Sequence, residues 1–102
     1  MNNLQKQTAQ MVEKYGLLAD NLMLRYADLV SEVGELGKEL VMCVDYGRKD
    51  FEASPNLAME LGDIMFCLAM IANSLDLDLE ECFGKTMEKC RKRFEKQGHI
   101  GS

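Results

Sequence analysis

Apolar residues recur along this chain at the three- and four-residue spacing of helices, with no sustained strand-like alternation. Positions Leu22, Tyr26, Leu29, Val30, Val33, Leu36, Leu40, Val41 and Val44 form one face of a long helix. Asp20 or Asn21 is placed to cap it, and it stops around Tyr46 and Gly47. An earlier helix runs from about Leu4 and is closed by Gly16. The charged stretch 48–54 reads as a loop. Ser54 as N-cap and Pro55 at the first helical position open a third helix that runs to about Leu75. Asp78 then caps a fourth, with Glu80 and Glu81 in its first turn and basic residues towards its end near Lys96, each sign favoured by the helix dipole. Residues 97–102 read as a flexible tail. The expectation is an all-α protein: a four-helix bundle of three long helices and one shorter one, in a single domain spanning 1–102 with its core at about 20–95.

The third helix is apolar on almost every side over 64–72. A helix apolar all round is buried all round. Four short helices cannot easily surround one of their own, so its second apolar side, Met59, Phe66 and Met70, is expected to face another subunit, in a homodimer or homotetramer. The alternative is a helix buried centrally within one chain.

Composition narrows the classes. A chain of 102 residues with 47% hydrophobic residues can build one core. Its net charge of −5 argues against binding a nucleic-acid polymer, which needs a basic footprint. The apolar stretch 64–72 is well short of the ~20 residues of a bilayer span. The first ten residues lack the basic-then-apolar pattern of a signal peptide, so the expected location is the cytoplasm, away from membranes. Cys43, Cys67, Cys82 and Cys90 form no CxxC pair and match no zinc spacing; they read as reduced, mostly buried thiols.

Against this background the acids stand out. Glu32, Glu35 and Glu39 lie at i, i+3 and i+7 of the second helix, within about 60° of one another. Glu60 and Asp63 form a second i, i+3 pair on the third. Both stripes lie beside an apolar face, with Glu32 and Glu60 bordering the core. A short loop joins the two helices, so antiparallel packing can bring the stripes together. Carboxylates so gathered repel unless cations bind them, and oxygen ligands suit Mg²⁺ or Mn²⁺. Acids at i, i+3 are also common on a solvated face, so the spacing alone leaves both readings open. Gly34, Gly37 and Gly62, each costing about 1 kcal/mol within a helix, point to close helix approach or to room for a ligand. A di-iron bundle would need Glu-x-x-His motifs, and the one histidine is His99, in the tail.

The order Glu32-x-x-Glu35, spacer, Glu60-x-x-Asp63 resembles the ExxE…ExxD signature of MazG-like nucleotide pyrophosphohydrolases. The segments SEVGELGKEL, AMELGDIMFCLAMIANSLDLDLEEC and KTMEKCRKRF resemble that family's two metal helices and its closing basic helix, over roughly residues 20–95. The resemblance implies an all-α fold assembled as dimers or tetramers, with active sites at the subunit contacts. It implies cleavage of a nucleoside triphosphate between the α and β phosphates, giving nucleoside monophosphate and pyrophosphate. It implies Glu32, Glu35, Glu60 and Asp63 as Mg²⁺ ligands, with one of the catalytic pair Glu32 and Glu35 able instead to orient the attacking water. Lys89 and Arg93, followed by Phe94, match the family's Lys-x-x-x-Arg-Phe pattern and are expected to bind phosphate, with Lys85 one turn earlier as a further candidate. Asn73 could touch a sugar or base, or cap the helix end. With no tryptophan, base stacking falls to Tyr15, Tyr26, Tyr46 or a phenylalanine.

Three functions remain in competition: general (d)NTP pyrophosphohydrolysis in nucleotide-pool house-cleaning, a narrower dUTP-type or phosphoribosyl-ATP-type enzyme, and a non-catalytic nucleotide-binding helical module.

Overall fold

The punctuation read from the sequence acts where it stands. In the computed structural model, which describes residues 3–17 and 21–98, helix α1 spans Asn3–Tyr15, α2 Leu22–Cys43, α3 Asn56–Ser74 and α4 Leu79–Gln97. Among the described residues there is no strand. Gly16, at φ +64°, ends α1 in the left-handed conformation that glycine adopts without steric cost. The Asn21 side chain caps α2, accepting the Leu24 N–H at 3.1 Å. The alternative cap, Asp20, lies outside the described residues, as do 99–102, most of the expected tail, and His99. Gln97 still belongs to α4, and Gly98, at φ +79°, closes it.

Two boundaries differ from expectation. Helix α2 stops at Cys43, because Asp45, Tyr46 and Gly47 turn left-handed in succession, with φ of 45°, 56° and 87°. A right-handed helix cannot continue through such a run, which costs roughly 1–2 kcal/mol at each non-glycine residue. At the start of α3, the Ser54 hydroxyl does not cap. It donates instead to Glu39 Oε1 at 2.5 Å, while the Ser54 carbonyl accepts the Leu57 N–H at 3.2 Å. The Asp78 cap of α4 is as expected: Oδ1 accepts the Glu80 and Glu81 N–H groups at 2.8 and 3.2 Å.

Helix α3 is the centre of the fold, with α2 packed along it and α1 lying against it. By length and mean hydropathy alone, 19 residues at 1.4, α3 would also suit a bilayer. Here it is the core helix, and it carries Glu60 and Asp63. Among the described residues helix α4 has no packing comparable to that of α1 or α2.

The side of α2 that faces α3 carries Arg25, Leu29, Glu32, Leu36, Glu39 and Cys43, all buried or half-buried. The rest of its expected apolar face, Tyr26, Val30, Val33, Leu40 and Val41, remains exposed in the single chain. On α3 the expected outward face needs correction. Met70 is only 3% exposed, covered within the chain, and Phe66 is half-buried beside α1; of the three expected residues only Met59 is open. The open side is Leu61, Met65 and Leu68, because α1 and α2 occupy the other two. The helices therefore form a spread-out array. The radius of gyration is 16.7 Å, against about 13 Å for a compact chain of this length.

Candidate metal centre

Helix α2 presents Glu32 to α3 from the half-buried edge of their seam, and α3 answers with Glu60 and Asp63, one turn apart. One oxygen from each of these three carboxylates lies within 4.8 Å of the others. Glu32 and Glu60 are half-buried and Asp63 is exposed, so the cluster opens to solvent on one side. Glu35, also exposed, stands close enough to act on Glu60. The Glu60 carboxyl is pushed above the usual glutamate range, first by burial and then by the charges of Asp63, Glu35, Glu32 and Glu39. Such a group holds its negative charge at a cost, which a bound cation relieves.

The donor set suits a hard cation. Cys67, a sulfur acted on by Glu32 and Asp63, is buried; its thiol is pushed up by burial first and then by Glu32, Asp28 and Asp63, against an opposing effect of Arg25. A thiol held protonated is a poor metal ligand. That leaves carboxylate oxygens with an open side for water or phosphate, an arrangement that fits Mg²⁺ or Mn²⁺. All four cysteines are free, Cys43 and Cys67 buried and Cys82 and Cys90 half-buried.

Gly34, Gly37 and Gly62 open space rather than close it. A methyl group added at any of them would meet nothing within 4 Å, so close helix approach within the chain is not their reason.

Arg25, a neighbour of the cluster, and the partner of Glu39 were not foreseen from the sequence. Arg25 lies seven residues before Glu32 on the same face; its side chain is 18% exposed, it pairs with Asp28 at 3.3 Å, and its Nη1 lies 3.9 Å from Met70 Sδ. The i, i+7 relation to Glu32 was the available signal, but an arginine on a helix is ordinarily read as solvated. Glu39, third of the α2 acids, is tied to Ser54 across the seam. Its partner sits in the loop before α3, which periodicity does not describe.

The basic stripe stands apart. On α4, Arg91 pairs with Glu88 at 2.6 Å and Glu95 at 2.8 Å, and Lys92 reaches Glu88 at 3.8 Å. Lys85, Lys89 and Arg93 project from another side of the same helix, within about 80° of one another. Among the described residues they form no ion pair, with the carboxylate cluster or elsewhere. Asn73 Oδ1 accepts from Gln5 Nε2 at 3.0 Å and its Nδ2 donates to the Gln5 carbonyl at 3.1 Å, so both ends of the amide take part in joining α3 to α1.

Comparison with known proteins bears on the family. The chain is 39% identical over 70 residues to YpjD, an uncharacterized protein of Bacillus subtilis (strain 168); the aligned part covers 66% of this chain and 61% of that protein. No solved structure matches. Residues 20–97, from just before α2 to the end of α4, match the MazG nucleotide pyrophosphohydrolase domain. With its all-helical fold, the chain belongs to the MazG nucleotide pyrophosphohydrolase family.

Proposed function

We propose that this protein is a Mg²⁺-dependent nucleoside triphosphate pyrophosphohydrolase, cleaving (d)NTPs between the α and β phosphates to (d)NMP and pyrophosphate. The observation that carries the reading is the Glu32, Glu60 and Asp63 cluster at the α2–α3 seam, three oxygens within 4.8 Å and open on one side. Glu32, Glu60 and Asp63 would hold the ion, with Mn²⁺ as an alternative. Bound there, the ion would neutralise phosphate oxygens and make a bound water more acidic. Glu35, exposed and close enough to act on Glu60, would complete the ligand set or accept a proton from the attacking water and hold it in line with the phosphorus. Lys89, Arg93 and Lys85 meet the charge of the departing pyrophosphate. The open space at Gly34 and Gly37 is offered as room for the nucleotide.

The active form in this proposal is a homodimer or homotetramer. A second copy covers Leu61, Met65 and Leu68 of α3 and the exposed stripe of α2, and brings carboxylates and basic stripe to one substrate. Its place is the cytoplasm, in nucleotide-pool house-cleaning, with no nucleic-acid polymer or membrane as partner.

The test is a Mg²⁺-dependent assay of pyrophosphate release from the eight common NTPs and dNTPs, with Glu35→Gln and Asp63→Asn beside the wild type. Release from at least one nucleotide is expected, reduced at least about 100-fold in both variants, since even outer-shell changes cost 10–100-fold at metal sites. No release from any nucleotide would sink the general-hydrolase reading; full activity in both variants would sink the assignment of the site.

A further inference from the structure

The most enclosed polar side chain among the described residues lies outside the metal centre and outside the segment that matches the family. Gln5, on α1, has no exposed surface. Its Nε2 donates to Asn73 Oδ1 at 3.0 Å and to the Leu77 carbonyl at 2.7 Å, and its Oε1 accepts the Leu79 N–H at 2.8 Å. Asn73 Nδ2 returns a bond to the Gln5 carbonyl at 3.1 Å. One side chain thus grips the end of α3, the turn after it and the first residue of α4.

The grip matters because, among the described residues, α4 packs little on the other helices. The Leu79 N–H belongs to the first turn of α4, where helix N–H groups lack intrahelical partners; Asp78 serves Glu80 and Glu81, and Gln5 serves Leu79. Leu79, Glu80 and Phe83 border an apolar groove with Leu4, Met65 and Leu68. Beyond those turns, among the described residues, α4 lies against no other helix to the extent that α1 and α2 lie against α3. Its direction is therefore set at its N-terminus. Arg93 lies about 21 Å along the helix from Leu79, so a tilt of about 10° at the first turn moves it about 4 Å. Binding groups need placement within about 0.5 Å.

We propose that α1, through Gln5, is the positioning element for α4: it fixes the angle at which Lys85, Lys89 and Arg93 leave the bundle, and so how tightly the polyphosphate of the substrate is held. The proposal rests on the phosphate-binding reading of that stripe. Gln5 touches no substrate; it acts through α4.

The test compares wild-type protein with Gln5→Ala, Asn73→Ala and Thr8→Ala, all as full chains. Thr8 is the control: it is buried on α1, but among the described residues its hydroxyl bonds only the Leu4 carbonyl of its own helix. Amide residual dipolar couplings report the angle between α3 and α4. Calorimetry reports binding of Mg²⁺ alone and of pyrophosphate with Mg²⁺, and steady-state kinetics separates KM from kcat. Gln5→Ala is expected to reorient α4, weaken pyrophosphate binding about tenfold and raise KM more than it lowers kcat, with Mg²⁺ affinity unchanged. Asn73→Ala changes both in the same direction and by less, and it carries the comparison if Gln5→Ala does not fold. Thr8→Ala changes neither. An unaltered α4 angle in Gln5→Ala and Asn73→Ala overturns the proposal, and so does a new angle with unaltered pyrophosphate affinity. Loss of Mg²⁺ affinity in step with KM also overturns it, by pointing to general loosening. A wild-type protein that binds no pyrophosphate overturns both this proposal and the phosphate role of α4, whereas the other outcomes overturn this one alone.

Discussion

Changing Leu61 to aspartate tests whether the open side of α3 is an interface between copies. A single chain exposes 7783 Å². A compact monomer of its mass, 11.5 kDa, would expose about 5,800 Å². Covering the excess of about 2,000 Å² on each of two copies removes about 4,000 Å², within the range of obligate homodimers. Leu61 sits on the α3 face that α1 and α2 leave open, with Met65 and Leu68 beside it. Burying a leucine side chain contributes about 1.5–3 kcal/mol, and an unpaired carboxylate in the same place costs a few more. A combined change of about 4 kcal/mol weakens association about 10³-fold. Light scattering over a dilution series reads the result. The wild type is expected to run at a multiple of 11.5 kDa, and Leu61→Asp to fall to 11.5 kDa at concentrations where the wild type stays assembled. Circular dichroism should show the helices retained, because Leu61 faces solvent in the single chain. Either of two results refutes the reasoning: a wild type that is a clean 11.5 kDa species throughout, or assembly indifferent to Leu61→Asp and Met65→Asp alike.

The raised carboxyl of Glu60 gives a pH signature: the folded protein binds its proton more tightly than the unfolded chain does, so metal-free protein should lose stability as pH rises from 4.5 through the raised folded value. Urea titrations in a chelator should show that slope, Glu60→Gln should flatten it, and Mg²⁺ should abolish it; identical slopes in wild type and variant would contradict the assignment. Gly34→Ala should stabilise α2 by up to about 1 kcal/mol, since the added methyl meets nothing in the chain. If that space admits substrate, the more stable variant will also have a higher KM; unchanged kinetics would show the space to be idle. Ser54→Ala removes the hydroxyl from Glu39 and should cost about 1.5–3 kcal/mol in urea denaturation, and a loss below measurement would mean water replaces the bond.

Much of the candidate metal centre was legible because its elements are local. Acids three apart on a helix share a face whatever the rest of the chain does, and the short connection between α2 and α3 makes them neighbours. The sequence could not separate ligands from bystanders. Glu39 shares the stripe with Glu32 and Glu35, yet it is drawn to Ser54 by a loop whose path depends on the left-handed turn at Asp45, Tyr46 and Gly47. Asn73 lies beyond Asp63 on α3 and was read as a candidate for a sugar or base, or for the helix cap. Its partner, Gln5, is 68 residues away, a pairing no local pattern encodes.

The sequence by itself determined the number and type of helices, most of their ends, and the ExxE…ExxD order, since caps, glycines and periodicity act over a few residues. Tertiary structure decided which faces are covered. Helix α2 has two adjoining faces that could be buried, and the one bearing Glu32, Leu29 and Leu36 meets α3, leaving Val30, Val33 and Leu40 outside. Helix α3 buries Met70 and leaves Leu61, Met65 and Leu68 open. A helix apolar on every side declares that it will be buried without saying by what. That choice belongs to the partners that reach it, and in this chain α1 and α2 take two sides of α3 and leave the third.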